Sequence, residues 1–214
     1  MRITIVGASG QIARLLHPIL IKKGHSVRGI IRKPEQAEDL KSLGIEPVVA
    51  DVEQLDDISE AVGETDAVLF AAGAGPGSGA ERKWTVDRDG AIKLIDAAKK
   101  NGVNRYVMIS AMGLDKPRGN EVFQVYQQAK AQADEALRKS GLDYTIVKPG
   151  RLTNKPGKGM IAISKKLDRG EIPREDVAAV LAEVLETPKT IGKEFDLLSG
   201  NQPIRQALEE FINS

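Results

Sequence analysis

The chain has 214 residues, 41% hydrophobic and 29% charged, with a net charge of +1. So even a balance excludes the broad basic field that non-specific nucleic-acid binding or an acidic membrane surface calls for, and no apolar run approaches spanning length. Cysteine is absent, which excludes disulfides, thiolate catalysis and cysteine-held metals and fits a reducing, cytoplasmic setting.

Met1 leads directly into the apolar run Arg2–Val6, so no leader segment is expected. A helical pattern follows at Gln11–Lys23 and stops at Gly24. The next pairs are Ser26–Ile31 with a helix at Pro34–Leu43, Glu46–Ala50 with Leu55–Val62, and Ala67–Ala72 with Val86–Lys100. Arg105–Ser110 then precedes a helix at Val122–Ser140, and Asp143–Lys148 forms the strand after Gly141. Several of these strands are continuously apolar, as a parallel sheet covered on both faces requires. The repeated β-α rhythm predicts an α/β fold: a Rossmann-type doubly wound parallel sheet with helices on both faces and right-handed crossovers. After Pro149-Gly150 the rhythm changes. Arg151–Gly159 reads as a loop, Met160–Ser164 as a short strand, Pro173–Glu186 as a helix, Glu194–Leu198 as a strand and Pro203–Asn213 as a helix. The expectation is one domain over 1–214, in which 151–214 completes the sheet and forms a small carboxyl-terminal cap on the substrate side.

The first turn carries the chief signal. Gly7-Ala8-Ser9-Gly10-Gln11-Ile12-Ala13 sits between a strand and a helix, the arrangement in which backbone amides and a helix N-terminus hold a pyrophosphate. Gly7 allows the tight turn, Gly10 lets the pyrophosphate approach, and Ala13 is small enough for close packing. The segment from Gly7 through Ser9, Gly10, Gln11 and Ile12 is therefore expected to bind a dinucleotide. An acidic residue at the end of the second strand would select NAD through its ribose 2′-OH. Here Arg32-Lys33 stand there, nineteen residues beyond Ala13, and a guanidinium grips a 2′-phosphate in bidentate fashion. The expected cofactor is NADP, with NAD less favoured. Asp51-Val52 would flank the adenine, although Asp51 serves equally as a helix cap.

Tyr126 and Lys130 stand at i and i+4 within a helical pattern, so phenol and ammonium project from one face. A phenol near pKa 10 becomes a useful acid–base group only if its pKa falls to roughly 7, about 4 kcal/mol of phenolate stabilisation. A neighbouring lysine and a cationic nicotinamide are candidates to supply it. Tyr126 would then exchange a proton with the substrate oxygen, Lys130 would hold ribose hydroxyls, and Ser110, ending the preceding strand, would hydrogen-bond the substrate carbonyl. A plain amphipathic helix would show the same spacing. Neither His17 nor His25 has partners at metal-ligand spacing. Arg151, Lys155 and Lys158 flank a basic loop read as solvated, with attraction of a phosphate-bearing substrate as the alternative. Ala74–Ala80, with its Gly-Pro-Gly-Ser-Gly run, is expected to be mobile and to fold over the nicotinamide.

On these motifs the chain resembles the short-chain dehydrogenase/reductase superfamily, and within it the atypical single-domain NAD(P)-binding proteins grouped as NAD-dependent epimerase/dehydratases. The resemblance runs from the Gly7/Gly10/Ala13 turn through Ile31–Glu35, Ala71–Gly73, Val86–Gly90, Ser110 and Tyr126/Lys130 to Tyr144–Gly150 and Arg174–Ala178. It implies Ser110, Tyr126 and Lys130 as the catalytic set, with Asp87 where the superfamily has a helix asparagine. A carboxylate cannot donate as an amide does unless it is protonated, which disturbs the usual proton relay. The resemblance further implies cofactor contacts from Ala71, Ala72 and Gly73 and from the Pro149-Gly150 turn; the helices bearing Asp87 and Tyr126 often pair subunits into homodimers in the superfamily, whereas small single-domain relatives can be monomers.

Three function classes remain. The leading expectation is an NADP-dependent oxidoreductase, or an epimerase using transient oxidation, acting on a small substrate without nucleic-acid or membrane partners. A flavin- or biliverdin-reductase-like enzyme is a related reading that needs less acid–base help. The second class is a non-catalytic NADP(H) sensor of the NmrA-like type. The third, an adenosylmethionine methyltransferase, is opposed by Arg32-Lys33 where an acid would hold the ribose.

Overall fold

Nine strands form one sheet in the computed structural model, which describes residues 1–75 and 77–214. In chain order the elements are β1 (Arg2–Val6), α1 (Gln11–Lys22), β2 (Ser26–Ile31), α2 (Ala37–Ser42), β3 (Glu46–Val49), α3 (Ser59–Val62), β4 (Ala67–Phe70) and α4 (Ala80–Arg82). A π-helix over Lys83–Asp89 continues α4 into α5 (Gly90–Lys100). There follow β5 (Arg105–Ile109), α6 (Glu121–Arg138), β6 (Asp143–Pro149), β7 (Arg151–Thr153), β8 (Met160–Ser164), β9 (Glu171–Pro173), α7 (Arg174–Glu186), β10 (Lys193–Ser199), β11 (Gln202–Pro203) and α8 (Ile204–Asn213).

The main sheet has the order β11-β8-β10-β6-β5-β4-β1-β2-β3. All pairings from β3 to β10 are parallel, and β8 joins β10 antiparallel. This is the Rossmann-type sheet expected from the continuous apolar strands. Ala67 and Leu69 of β4 enter one core, while Val68 and Phe70 enter the other. A strand buried on both faces cannot alternate with polar residues, which is why β4 reads as an unbroken apolar run. Helices α1, α7 and α8 cover the first face, and α3, α5 and α6 the second.

Three local readings of the sequence require correction. Arg151–Gly159 is not wholly loop, because β7 pairs in parallel with β9 in a separate two-stranded sheet. Three residues of β structure fall below the length at which alternation can be read from sequence. The helix expected at Leu55–Val62 is confined to Ser59–Val62, since Asp51 first closes a turn by accepting the Glu53 amide on its side chain and the Gln54 and Leu55 amides on its carbonyl. The pattern read as beginning at Val86 starts at Ala80 and carries the π-segment against α6. Its widened spacing breaks the 3.6-residue period on which the reading relied, and such segments recur at functional sites.

Candidate functional site

The strand order reverses between β1 and β4, and there the carboxyl ends of the strands open into a cleft of about 850 Å³. Its floor is the glycine turn. Gly7 has φ +82°, and a Cβ there would lie 2.6 Å from the Ala72 backbone, so only glycine lets β1 turn beneath the Ala71–Gly73 segment. The Gly7 and Ala8 amides donate to the Ile30 carbonyl and that of Gly10 to Gly7. Helix α1 starts with no side-chain cap and no acid in its first turn. The amides of its first turn therefore lack a partner within the helix, and the positive end of its dipole faces the cleft. Such an uncapped helix start has the chemistry to receive an anion. Buried His17 fixes the turn from behind, its Nε2 2.7 Å from the Ala8 carbonyl. Burial lowers the His17 pKa, which keeps the ring neutral and leaves Nε2–H as the donor.

At the cleft's second arm, Arg32 follows β2 while Asp51, Val52 and Glu53 follow β3. Glu53 escaped the sequence reading, because it follows the third strand, whereas the ribose-binding acid was sought after the second. It accepts from Arg82 Nη2 at 2.5 Å and from Thr85 at 2.7 Å, and Arg32 Nη1 lies 3.7 Å away. Arg82 leads the groups that hold its carboxyl below the usual range. Its charge is thus matched by Arg82, and the more distant Arg32 keeps most of its donors. Gln36, also unforeseen, donates to Ser9 Oγ at 2.8 Å and ties this arm to the glycine turn.

Ser110, Tyr126, Lys130 and Asp87 all line the other end of the same cleft. Ser110 follows β5, Tyr126 and Lys130 stand one turn apart on α6, and Asp87 comes from the π-helix. Asp87 Oδ2 accepts the Ala74 amide at 3.1 Å. Lys130 Nζ donates to the Ile109 carbonyl at 2.6 Å. Tyr126 stacks on Phe123 with ring centroids 5.7 Å apart, and Lys83 Nζ stands 5.7 Å from its ring. Burial pushes the Asp87 carboxyl up, against the pull of Lys130, the Ala74 amide and Lys83. Burial also lowers the Lys130 ammonium, which Asp87 and Asp134 raise.

Lys130 by itself does not depress the Tyr126 phenol. Burial, followed by the charges of Asp87 and Asp134, places it above its ordinary value. Lys130 is engaged by Ile109 and faces two carboxylates, so its charge offsets those acids rather than a phenolate. Asp134 was missed although it repeats the i, i+4 spacing one turn beyond Lys130. It is buried, both of its oxygens lack a hydrogen-bond partner among the described residues, and so does Ser110 Oγ.

Gly7, Ser9, Gly10, Gln11, Ile12, Arg32, Asp51, Val52, Ala71, Ala72 and Gly73 line the cleft. Lys33, Pro149 and Gly150 do not. Lys33 turns to Glu35 at 3.5 Å. Pro149 is buried at the end of β6 opposite Leu197. Gly150 is glycine for packing: a Cβ would stand 2.3 Å from Leu198 Cδ2 and 2.6 Å from the Gly170 carbonyl. The expected lid Ala74–Ala80 includes Pro76, which lies outside the described residues, while Gly75, Gly77 and Ser78 line the cleft. No helix among the described residues is long and apolar enough to cross a membrane.

Known proteins share both sequence and architecture. The chain is 39% identical over 213 residues to the "Uncharacterized sugar epimerase YhfK" of Bacillus subtilis, covering 98% of this chain and 100% of that one. It is 37% identical over 228 residues to the UPF0659 protein YMR090W of Saccharomyces cerevisiae, covering 100% and 98%. A solved structure, "Putative NAD-dependent epimerase/dehydratase from Bacillus halodurans", superposes with a TM-score of 0.93 at 41% identity over 98% of this chain and 99% of that one. The NAD(P)H-binding family model matches residues 7–188. That span begins at the first glycine of the turn and takes in both arms of the cleft: the chain belongs to the NAD(P)H-binding family, within its oxidoreductase and epimerase-like members.

Proposed function

We propose that the chain is an NADP(H)-dependent enzyme that moves a hydride between the nicotinamide and a carbon–oxygen centre of a small substrate. The observation carrying this reading is that one cleft has uncapped helix amides at one end and Ser110, Tyr126 and Lys130 at the other. The first turn of α1 would hold the diphosphate, and Arg32 the 2′-phosphate beyond the Glu53–Arg82 pair. When bound, the cofactor supplies or accepts the hydride. Ser110 holds the substrate oxygen, and Tyr126 gives it a proton or takes one from it. Burial keeps the phenol protonated, as a donor in the reducing direction must be, and efficient transfer requires the bound cationic cofactor to lower it. The epimerase label of YhfK describes the same transfer run out and back, so a lasting change in NADPH absorbance separates a reductase from an epimerase. A cysteine-free chain suits a reducing compartment, and a cytoplasmic site goes with this reading.

The test is thermal unfolding against NADPH and NADH, followed by Tyr126→Phe on a panel of carbonyl and flavin acceptors. NADPH at a hundred times its Kd is expected to add about 2.7 kcal/mol. No shift with either nucleotide ends the proposal, and equal shifts end the role of Arg32. Tyr126→Phe should keep NADPH affinity and lose turnover. The same phenol observation favours a second reading, a redox-state sensor, and a wild-type protein that binds NADPH yet turns over no acceptor would establish it.

A further inference from the structure

Three guanidinium groups line the cleft: Arg32, Arg82 and Arg174. The first two share Glu53. Arg174, the first residue of α7, donates from Nη1 to Asn154 Oδ1 at 2.8 Å, and among the described residues no carboxylate lies at ion-pair distance. The acids around it are engaged elsewhere. Glu171 pairs with Arg151 and Lys155, Glu175 accepts the Gly157 amide, and Asp176 accepts those of Lys158 and Gly159. These pairs also withdraw Arg151 and Lys155, two of the three loop cations considered as an anion trap.

Leu152 from β7, the strand paired with the β9 that leads into Arg174, lines the same cleft, as do the exposed Val122 and Phe123 from the first turn of α6. A half-buried cation beside apolar surface keeps unsatisfied donors whose natural complement is an anion with a planar, bidentate face. Exposed Phe123, stacked on Tyr126, adds a flat aromatic surface to that cleft.

We infer that Arg174 is a specificity residue that binds the carboxylate of the substrate, so that the acceptor is an aromatic or otherwise flat carboxylic acid. This rests on the reading of the cleft as an NADP(H) enzyme site. A cofactor diphosphate is the other anion within the cleft's chemistry, but the first turn of α1 already provides for one.

The experiment measures binding of 2-naphthoate and of 2-naphthamide, its neutral analogue, to wild type and Arg174→Gln, both saturated with NADP. Wild type is expected to prefer the acid by about tenfold or more. Arg174→Gln should bind the two alike, with its NADPH affinity and melting temperature unchanged. The inference is overturned if wild type binds acid and amide equally, if it binds neither at about 10 mM, or if the variant keeps the preference. It is also overturned if Arg174→Gln loses NADPH affinity, which assigns the guanidinium to the diphosphate. Failure of wild type to bind NADP at all is seen beforehand in the nucleotide titration and counts against the proposed function instead.

Discussion

Gly7 and Gly10 belong to one motif, but the structure gives them separable roles, and alanine at each should show it. At Gly7 an alanine must adopt φ +82°, costing about 1–2 kcal/mol, and its methyl would stand 2.6 Å from the Ala72 backbone. Displacing packed backbone adds about 1–3 kcal/mol. A total near 3 kcal/mol lowers the melting temperature of a chain this size by about 6–12 °C. Gly10 has φ −68° and ψ 156°, which alanine accepts, and its methyl would meet the Gly7 carbonyl at a tight 3.0 Å. Reduced freedom of the unfolded chain favours the alanine by about 0.4–1 kcal/mol, so the net change stays within about 1 kcal/mol. The same methyl stands where an anion must approach the amides of α1. An expected tenfold loss in NADPH affinity halves the stabilisation at a fixed concentration, from about 2.7 to about 1.4 kcal/mol. Melting curves with and without NADPH measure both quantities. If Gly10→Ala keeps the full nucleotide shift, or if Gly7→Ala melts like wild type, the reasoning about the turn is wrong.

Acid should expose His17. Its folded pKa is lowered by burial, so below about 6.5 the unfolded chain takes up a proton that the folded chain refuses, and stability falls with pH. Against His17→Gln, wild type should lose melting temperature between pH 7.5 and 5, and parallel curves would count against this. Asp134 has the opposite sign: its folded carboxyl is raised by burial, so its contribution is most favourable below about pH 3.9 and declines as pH rises. Asp134→Asn should gain on wild type between pH 4 and 7, whereas a constant difference contradicts the assignment. Half-buried Arg105, at the start of β5, donates to the Asp143 and Val184 carbonyls and to the Thr145 and Thr190 hydroxyls. Arg105→Met should cost about 2–3 kcal/mol and leave the NADPH dissociation constant unaltered, because it works at the sheet edge opposite the cleft; a shifted constant would refute that separation.

Much of the fold could be read from local order. Continuous apolar runs such as Ala67–Phe70 can exist only between two helical layers, and glycine stops such as Gly24 and Gly141 adopt positive φ where the helices end. The nucleotide turn was legible for the same reason, since its glycines, its strand and its helix are contiguous. Contiguity ends where the site depends on residues from different elements. Glu53 became part of the Arg32 arm only because β2 and β3 are neighbours and Arg82 returns from a helix some thirty residues later. The π-helix that seats Asp87 leaves no periodic signature, and the short β7–β9 ladder that brings Leu152 and Arg174 toward the cleft is too brief to leave one.

The sequence by itself determined the sheet, the glycine turn and the cast of chemical groups, because hydrophobic period and backbone freedom are properties of neighbouring residues. Tertiary structure decided the proton affinity of those groups. Burial and the approach of Asp87 and Asp134 raise the Tyr126 phenol, whereas Lys130, four residues away, had promised to lower it. Proton affinity is set by everything within a few ångströms, most of it distant along the chain.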